Sequence, residues 1–254
     1  MKLFRLVGLI LFFCIINSCS TRKEILYFQD YENIPKDVIN SSPKIQINDI
    51  LSINVNSLIP EAAVPYNRDV SSGGGSQITV PLKSIGYLVS SDGSITFPIL
   101  GSIVATGKTT KELESDIRKI LIDEGHLKNP TVIVSIINSK ITVLGEVGKP
   151  GTITFEEETI TLPQALGLAG DLTINGVRED VIIIREVDGV RTVGHVDMTK
   201  TDWFTSPFYT LRQNDVILVN PNGPAVKQAG YITSIGGLFG LVSFIITLVL
   251  LIKS

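Results

Sequence analysis

Cys19 is the side chain whose setting suggests a covalent modification. It follows Asn17-Ser18 and an apolar run, Leu6 to Ile16, preceded by Lys2 and Arg5. A basic start, a short apolar stretch and small residues before a cut describe a secretory signal. A cysteine directly after the cut, with Ile16 three residues before it, has the pattern of a bacterial lipobox, whose thiol is lipidated. The spacing therefore predicts a signal peptide over 1–18 and a lipid on Cys19. The other cysteine, Cys14, lies in the segment to be removed. The mature chain would then have no disulfide, and its fold must be stabilised by its core.

Other reactive residue types do not assemble into a site on the sequence. His126 and His195 each stand without a second His or Cys at ligand spacing, so no metal centre is expected. Glu156-Glu157-Glu158 reads as a solvated turn, and no catalytic constellation or cofactor motif is found. Ser71 to Ser76 is all Ser and Gly but lacks the following Lys-Ser/Thr of a phosphate-binding loop, so it reads as a flexible loop. Trp203, Phe204, Phe208 and Tyr209 cluster in sequence. They can stack on sugar rings, but burial or a subunit contact is the simpler reading. The 22 basic and 25 acidic residues nearly balance. Without a basic patch, nucleic acid is not an expected partner.

The far end carries a different signal. Ile232 to Ile252 has no charged residue and is flanked by Lys227 and Lys253. As a helix it would be about 31 Å long, close to the ~30 Å of a bilayer core. A transmembrane helix over 231–252 is therefore expected. Thr233, Gly236, Gly240, Ser243 and Thr247 recur at steps of three and four, on one face. Gly236 and Gly240 also form a GxxxG pair. This face would pack against copies of itself or line a lumen.

Between the ends the pattern is β-rich with two helices. Residues 19–43 read as a polar, lipidated tether, with Tyr27, Phe28 and Tyr31 interspersed, that docks on the body. Strands are expected at 50–55, 131–137, 141–144, 152–155, 181–184, 190–196 and 216–219. Tyr87 to Phe97 reads as a hairpin turned by Asp92-Gly93, and Asp188-Gly189 turns a second. Thr109-x-x-Glu112 and Thr161-x-x-Gln164 are capping boxes that start helices, stopped by Gly125 and Gly170. The first presents Leu113, Ile117, Ile120 and Leu121 on one face. Helices over small, mostly antiparallel sheets give an α+β class.

These residues, taken in order, resemble the bacterial polysaccharide export lipoproteins (Wza-type) over nearly the whole mature length. Ile45-Gln46-Ile47-Asn48-Asp49-Ile50-Leu51-Ser52-Ile53 looks like that family's opening. Asp92-Gly93-Ser94-Ile95-Thr96-Phe97-Pro98-Ile99-Leu100-Gly101 looks like its Asp-Gly-x-Ile-x-x-Pro-x-x-Gly core, and Asn129-Pro130-Thr131-Val132 like its closing strand. Gly145-Glu146-Val147, Pro150-Gly151, Gln164 to Gly170 and Asn214-Asp215-Val216-Ile217 are similar to its ligand-binding β-grasp (SLBB) repeat.

The resemblance implies two small β-rich domains, an export domain over 44–137 and an SLBB β-grasp domain over 139–222, followed by the terminal helix. It implies a non-enzymatic subunit of an outer-membrane conduit for capsular or exopolysaccharide, anchored by lipid with its domains in the periplasm. The implied partners are the polysaccharide chain, copies of itself in a ring (an octamer by resemblance), membrane lipid, and an inner-membrane polysaccharide copolymerase/tyrosine kinase. The alternative is a periplasmic glycan-binding lipoprotein that does not translocate its ligand. One clear β-grasp repeat is present where some relatives have two, which implies a shorter ring stack.

Overall fold

A computed structural model describes residues 25–36, 42–68, 86–187, 189–228, 239, 240, 242–244 and 247. Its first unit contains β1 (Ile50–Asn56), the short α1 (Pro60–Ala63), β2 (Tyr87–Leu88), β3 (Ser94–Phe97), β4 (Gly101–Val104), α2 (Thr110–Asp123) and β5 (Thr131–Ile136). β1 runs between β2 and β5, antiparallel to both, with Leu51 opposite Ile136 and Val55 opposite Val132. Alternation decides which side of β1 is inside: Leu51, Ile53 and Val55 are buried.

α2 starts where the capping box predicts. The Thr109 hydroxyl accepts the Glu112 N–H, and the Glu112 carboxylate accepts the Thr109 N–H at 2.7 Å. Leu113, Ile117 and Leu121 recur at a helical step and are fully buried over the sheet. Each contributes roughly 1.5–3 kcal/mol by leaving water. Gly125 follows at φ +76°, a conformation that ends the helix at little cost.

The hairpin expected over Tyr87 to Phe97 does not form. The turn is present, with Gly93 at φ +81° and its N–H on the Ser90 carbonyl, but its flanks go elsewhere. β2 pairs with β1, and β3 pairs forward with β4 across Pro98-Ile99-Leu100. Burial explains the exchange: Tyr87 and Phe97 both enter the core and stack with ring centroids 5.1 Å apart. Side-chain packing, which the turn does not encode, selects the partner.

The second unit contains β6 (Lys140–Gly145), β7 (Gly151–Thr154), β8 (Ile160–Thr161), α3 (Leu162–Leu168), β9 (Gly176–Val187), β10 (Val190–Val196), β11 (Thr210–Leu211), β12 (Val216–Pro221) and α4 (Gly223–Gln228). Five strands form one sheet in the order β10-β9-β12-β6-β7, antiparallel except for the β12–β6 pair. β8 and β11 form a separate two-stranded ladder. α3 carries its own capping box, and Leu162, Ala165 and Leu166 close the core with Ile141, Val181, Ile183 and Ile217. At Gly145 (φ +90°) an added Cβ would run into the Val219 carbonyl of β12. The parallel pair therefore requires glycine there. The buried clusters of the two units share no residue, and the fold is mixed α+β with several small sheets.

Among the described residues no helix is long and apolar enough to cross a membrane. Most of the 231–252 run, including Thr233 and Gly236, lies outside the described residues, as do Cys19, the 1–18 segment and the Ser71–Ser76 loop. Gly240 and Ser243 are helical, and the Thr247 hydroxyl donates to the Ser243 carbonyl at 2.9 Å. That bond is internal to the helix and satisfies the hydroxyl without a partner.

Candidate functional site

The two units meet around a short linker that each grips separately. Asn138 belongs to the first: its Oδ1 accepts the Ile50 N–H at 2.8 Å and its Nδ2 donates to the Asn48 carbonyl at 3.0 Å. Ser139 belongs to the second: it is buried, and its carbonyl accepts the Phe155 N–H at 3.1 Å. Among the described residues two side-chain bonds span the joint. Thr110, in the first turn of α2, donates to Glu158 at 3.0 Å, and Gln213 Nε2 donates to Asp49 Oδ1 at 2.7 Å. Beside them opens a cleft of about 340 Å³, whose lining includes Lys44, Gln46, Phe155, Glu186, Arg212 and Gln213. No continuous stretch of sequence announces it, because its walls come from several separate segments.

Asp49 and Gln213 sit in matching turns. In the first, Asn48 adopts φ +70°, the Asp49 N–H donates to the Gln46 carbonyl, and Asp49 Oδ2 accepts the Gln46 N–H at 2.8 Å. In the second, Asn214 adopts φ +65°, the Asp215 N–H donates to the Arg212 carbonyl, and Asp215 Oδ2 accepts the Arg212 N–H at 2.8 Å. Asparagine tolerates this left-handed conformation better than most residues. Both aspartates are 1% exposed.

Their counterions differ. Arg185 of β9 reaches Asp215 through Nε at 3.0 Å and Nη2 at 2.6 Å, and its Nη1 and Nη2 donate to the Pro207 and Thr210 carbonyls. This fork pins the 207–210 loop to β12 and satisfies a buried charge pair. No ion pair reaches Asp49 among the described residues. Burial pushes its carboxyl up to about 6, against the hydrogen bonds from Gln46 and Gln213 that pull it down.

Three of the four aromatic residues singled out in the sequence converge, and the tether packs on two of them. Trp203, Phe204 and Tyr209 lie with ring centroids 4.6 to 5.9 Å apart, and Phe28 packs on Trp203 and Phe204 at 6.0 and 5.7 Å. Trp203 is 4% exposed and donates its indole N–H to the Lys200 carbonyl. Phe208 stands apart from this stack, under the Arg185 guanidinium at 5.0 Å. The strap is held as an added strand would be: the Phe28 and Gln29 N–H groups donate to the Met198 and Thr199 carbonyls. The Tyr27 hydroxyl donates to Asp171 at 2.6 Å. Burial, with Asp171 accepting its proton, holds that phenol well above its ordinary range.

His126 lies 3.0 Å from Glu124, and His195 2.6 Å from Asp180, on separate units. Among the described residues no group of three or more His, Cys, Asp or Glu side chains is placed to hold a metal ion. Sequence reasoning singled out neither Gln213 nor Arg185. The repeated Asn-Asp-Ile/Val was the available signal, since a buried aspartate needs a donor.

Residues 38–137 match the family described as polysaccharide biosynthesis/export protein. Over that segment the family resemblance is shown. The chain is also similar to two curated proteins, both named EPS I polysaccharide export outer membrane protein EpsA. The one from Ralstonia solanacearum is 34% identical over 92 residues, 35% of this chain and 24% of that protein. The one from Ralstonia nicotianae is 34% identical over 139 residues, 51% of this chain and 34% of that protein. The matches thus span about a quarter and a third of the relatives' own lengths.

Proposed function

We propose that this chain is a subunit of an outer-membrane conduit that exports capsular or exopolysaccharide, and that it is not an enzyme. The observation that carries the proposal is the export-family match over residues 38–137. The names of both relatives, polysaccharide export outer membrane proteins, support it.

In this reading residues 1–18 are a signal peptide, Cys19 carries lipid, 19–43 is the tether, 44–137 the export domain and 139–222 an SLBB-type β-grasp domain. Residues 231–252 cross the membrane. The placement of the tether agrees with such an arrangement. Phe28 is bound to the second unit nine residues after Cys19, so a lipid there would hold that unit within about 30 Å of the bilayer surface. α4 also leaves from the second unit. Both anchors would thus place the second unit nearest the membrane and the first unit deeper in the periplasm.

One transmembrane helix encloses no channel, so a conduit requires several copies in closed symmetry. The resemblance implies an octamer, with Thr233, Gly236, Gly240, Ser243 and Thr247 facing a neighbouring helix or the lumen. It also implies an inner-membrane copolymerase/tyrosine kinase as partner. Trp203 and Phe204, packed against Phe28 of the tether, serve to hold it rather than to stack on sugar.

Deletion of the gene tests the proposal. Polymer should stop reaching the cell surface, with lipid-linked or periplasmic material retained, and a plasmid copy should restore it. Unchanged surface polymer in the deletion strain would overturn the export reading and leave the glycan-binding alternative.

A further inference from the structure

Among the described residues the joint contains a buried carboxylate without a cation, and its partner across the joint is also incomplete. Gln213 Oε1 is buried with no hydrogen-bond partner, while Gln213 Nε2 donates to Asp49. We propose that this joint is a proton-operated latch between the two units: a neutral Asp49 favours the closed joint, and ionisation of Asp49 loosens it.

The argument starts from burial. A carboxylate loses hydration when it is enclosed, and the closed joint returns it two hydrogen bonds and no opposite charge. The neutral acid loses far less. It also carries a hydroxyl, the kind of donor that Gln213 Oε1 lacks, where the carboxylate can only accept. The charged groups on the surrounding elements are Lys44 before the turn, Lys140 after the linker, and Arg212 and Asp215 in the opposing turn. Glu186 and Glu158 lie across the cleft, the latter bonded to Thr110. None of them forms an ion pair with Asp49.

The pivot is equally defined. Asn138 is bonded to the first unit and Ser139 to the second, so an opening motion bends at the peptide between them. Among the described residues, Thr110–Glu158 and Asp49–Gln213 are the side-chain hydrogen bonds that such a motion must break.

Linkage sets the direction and size. Burial in the closed joint pushes the Asp49 carboxyl from its ordinary 3.8 up to about 6. Closing therefore takes up a proton between about pH 4 and 6. From pH 7.5 to pH 5 the closed state gains about tenfold over the open one. The device depends on the two-unit fold and not on what the assembly carries, so it stands or falls separately from the export reading.

Hydrogen exchange by mass spectrometry on the full-length protein in mild detergent tests it. Rates at pH 5 and 7.5, corrected for intrinsic exchange, would be read on peptides covering residues 44–51 and 211–216, with α2 as reference. The wild type should show about tenfold more protection of both peptides at pH 5, with α2 unchanged. Asp49→Asn should be protected to a similar degree at both pH values. Gln213→Arg, which gives Asp49 the cation that Arg185 gives Asp215, should cut the pH response below twofold. Should Gln213→Arg also lower protection in α2, it has disturbed the fold and Asp49→Asn decides alone. Equal protection of the wild type at both pH values, or an undiminished response in Asp49→Asn, would overturn the latch.

Discussion

Asn48-Asp49-Ile50 and Asn214-Asp215-Val216 each put an asparagine at positive φ and a buried aspartate ahead of a strand, yet only Asp215 meets an arginine. The second unit closes its turn from within: Arg185, Asp215 and the 207–210 loop belong to one core. The first unit leaves its turn to be completed by Gln213 from its neighbour. A turn of the same backbone geometry thus serves as a rivet in one place and as a titratable contact in the other. The fold of each unit dictates the turn; the function of the turn follows from what faces it.

The largest expected effect comes from breaking the rivet. Arg185→Ala leaves the Asp215 carboxylate buried and unpaired, and should cost about 3–5 kcal/mol in denaturant unfolding of the second unit. At the other turn the sign reverses. Asp49→Asn removes a buried charge that lacks a cation, keeps an acceptor for the Gln46 N–H, and should gain up to about 3 kcal/mol at pH 7.5. The sign follows from a folded-state pKa that is raised. The wild type has its full Asp49 contribution below about pH 4 and loses it as the pH rises to about 6. The stability difference between Asp49→Asn and wild type should therefore shrink below pH 6 and vanish near pH 4.

Two smaller pairs of substitutions ask how alike the units are. Asn48→Ala and Asn214→Ala keep a β-carbon at φ +70° and +65° but remove the polar side chain that eases it there. Each should cost about 1–2 kcal/mol by thermal or urea denaturation. Thr109→Ala and Thr161→Ala each remove a capping box, and each should cost about 1 kcal/mol. A loss confined to one member of either pair would show that the resemblance between units is one of shape without shared energetics.

Local chemistry was the legible part of the sequence. Both capping boxes, the stops at Gly125 and Gly170, and the apolar stripe of α2 are decided within one or two helical turns, and they stand where the spacing places them. The 87–97 hairpin does not form because its turn is local and its pairing is not: Tyr87 and Phe97 go to the core by way of different partners. β9 runs from Gly176 to Val187, well beyond the apolar 181–184, because β10 and β12 pair with it on both sides and carry Arg178 and Arg185 into buried positions. The candidate site was the least legible. The docking of the tether was readable from Tyr27 and Phe28, and the aromatic cluster from its spacing. That the one packs on the other, and that Gln213 completes the turn of Asp49 from 164 residues away, are results of tertiary packing.

The conduit is tested most directly by the mass of the full-length protein in mild detergent, measured by native mass spectrometry beside a version ending at Gly230. The proposal predicts a discrete closed ring of identical subunits for the full chain. It also predicts that the shorter version forms a weaker ring or none, because the terminal helix contributes to assembly. A stable monomer in both cases would contradict it, since one copy encloses no channel.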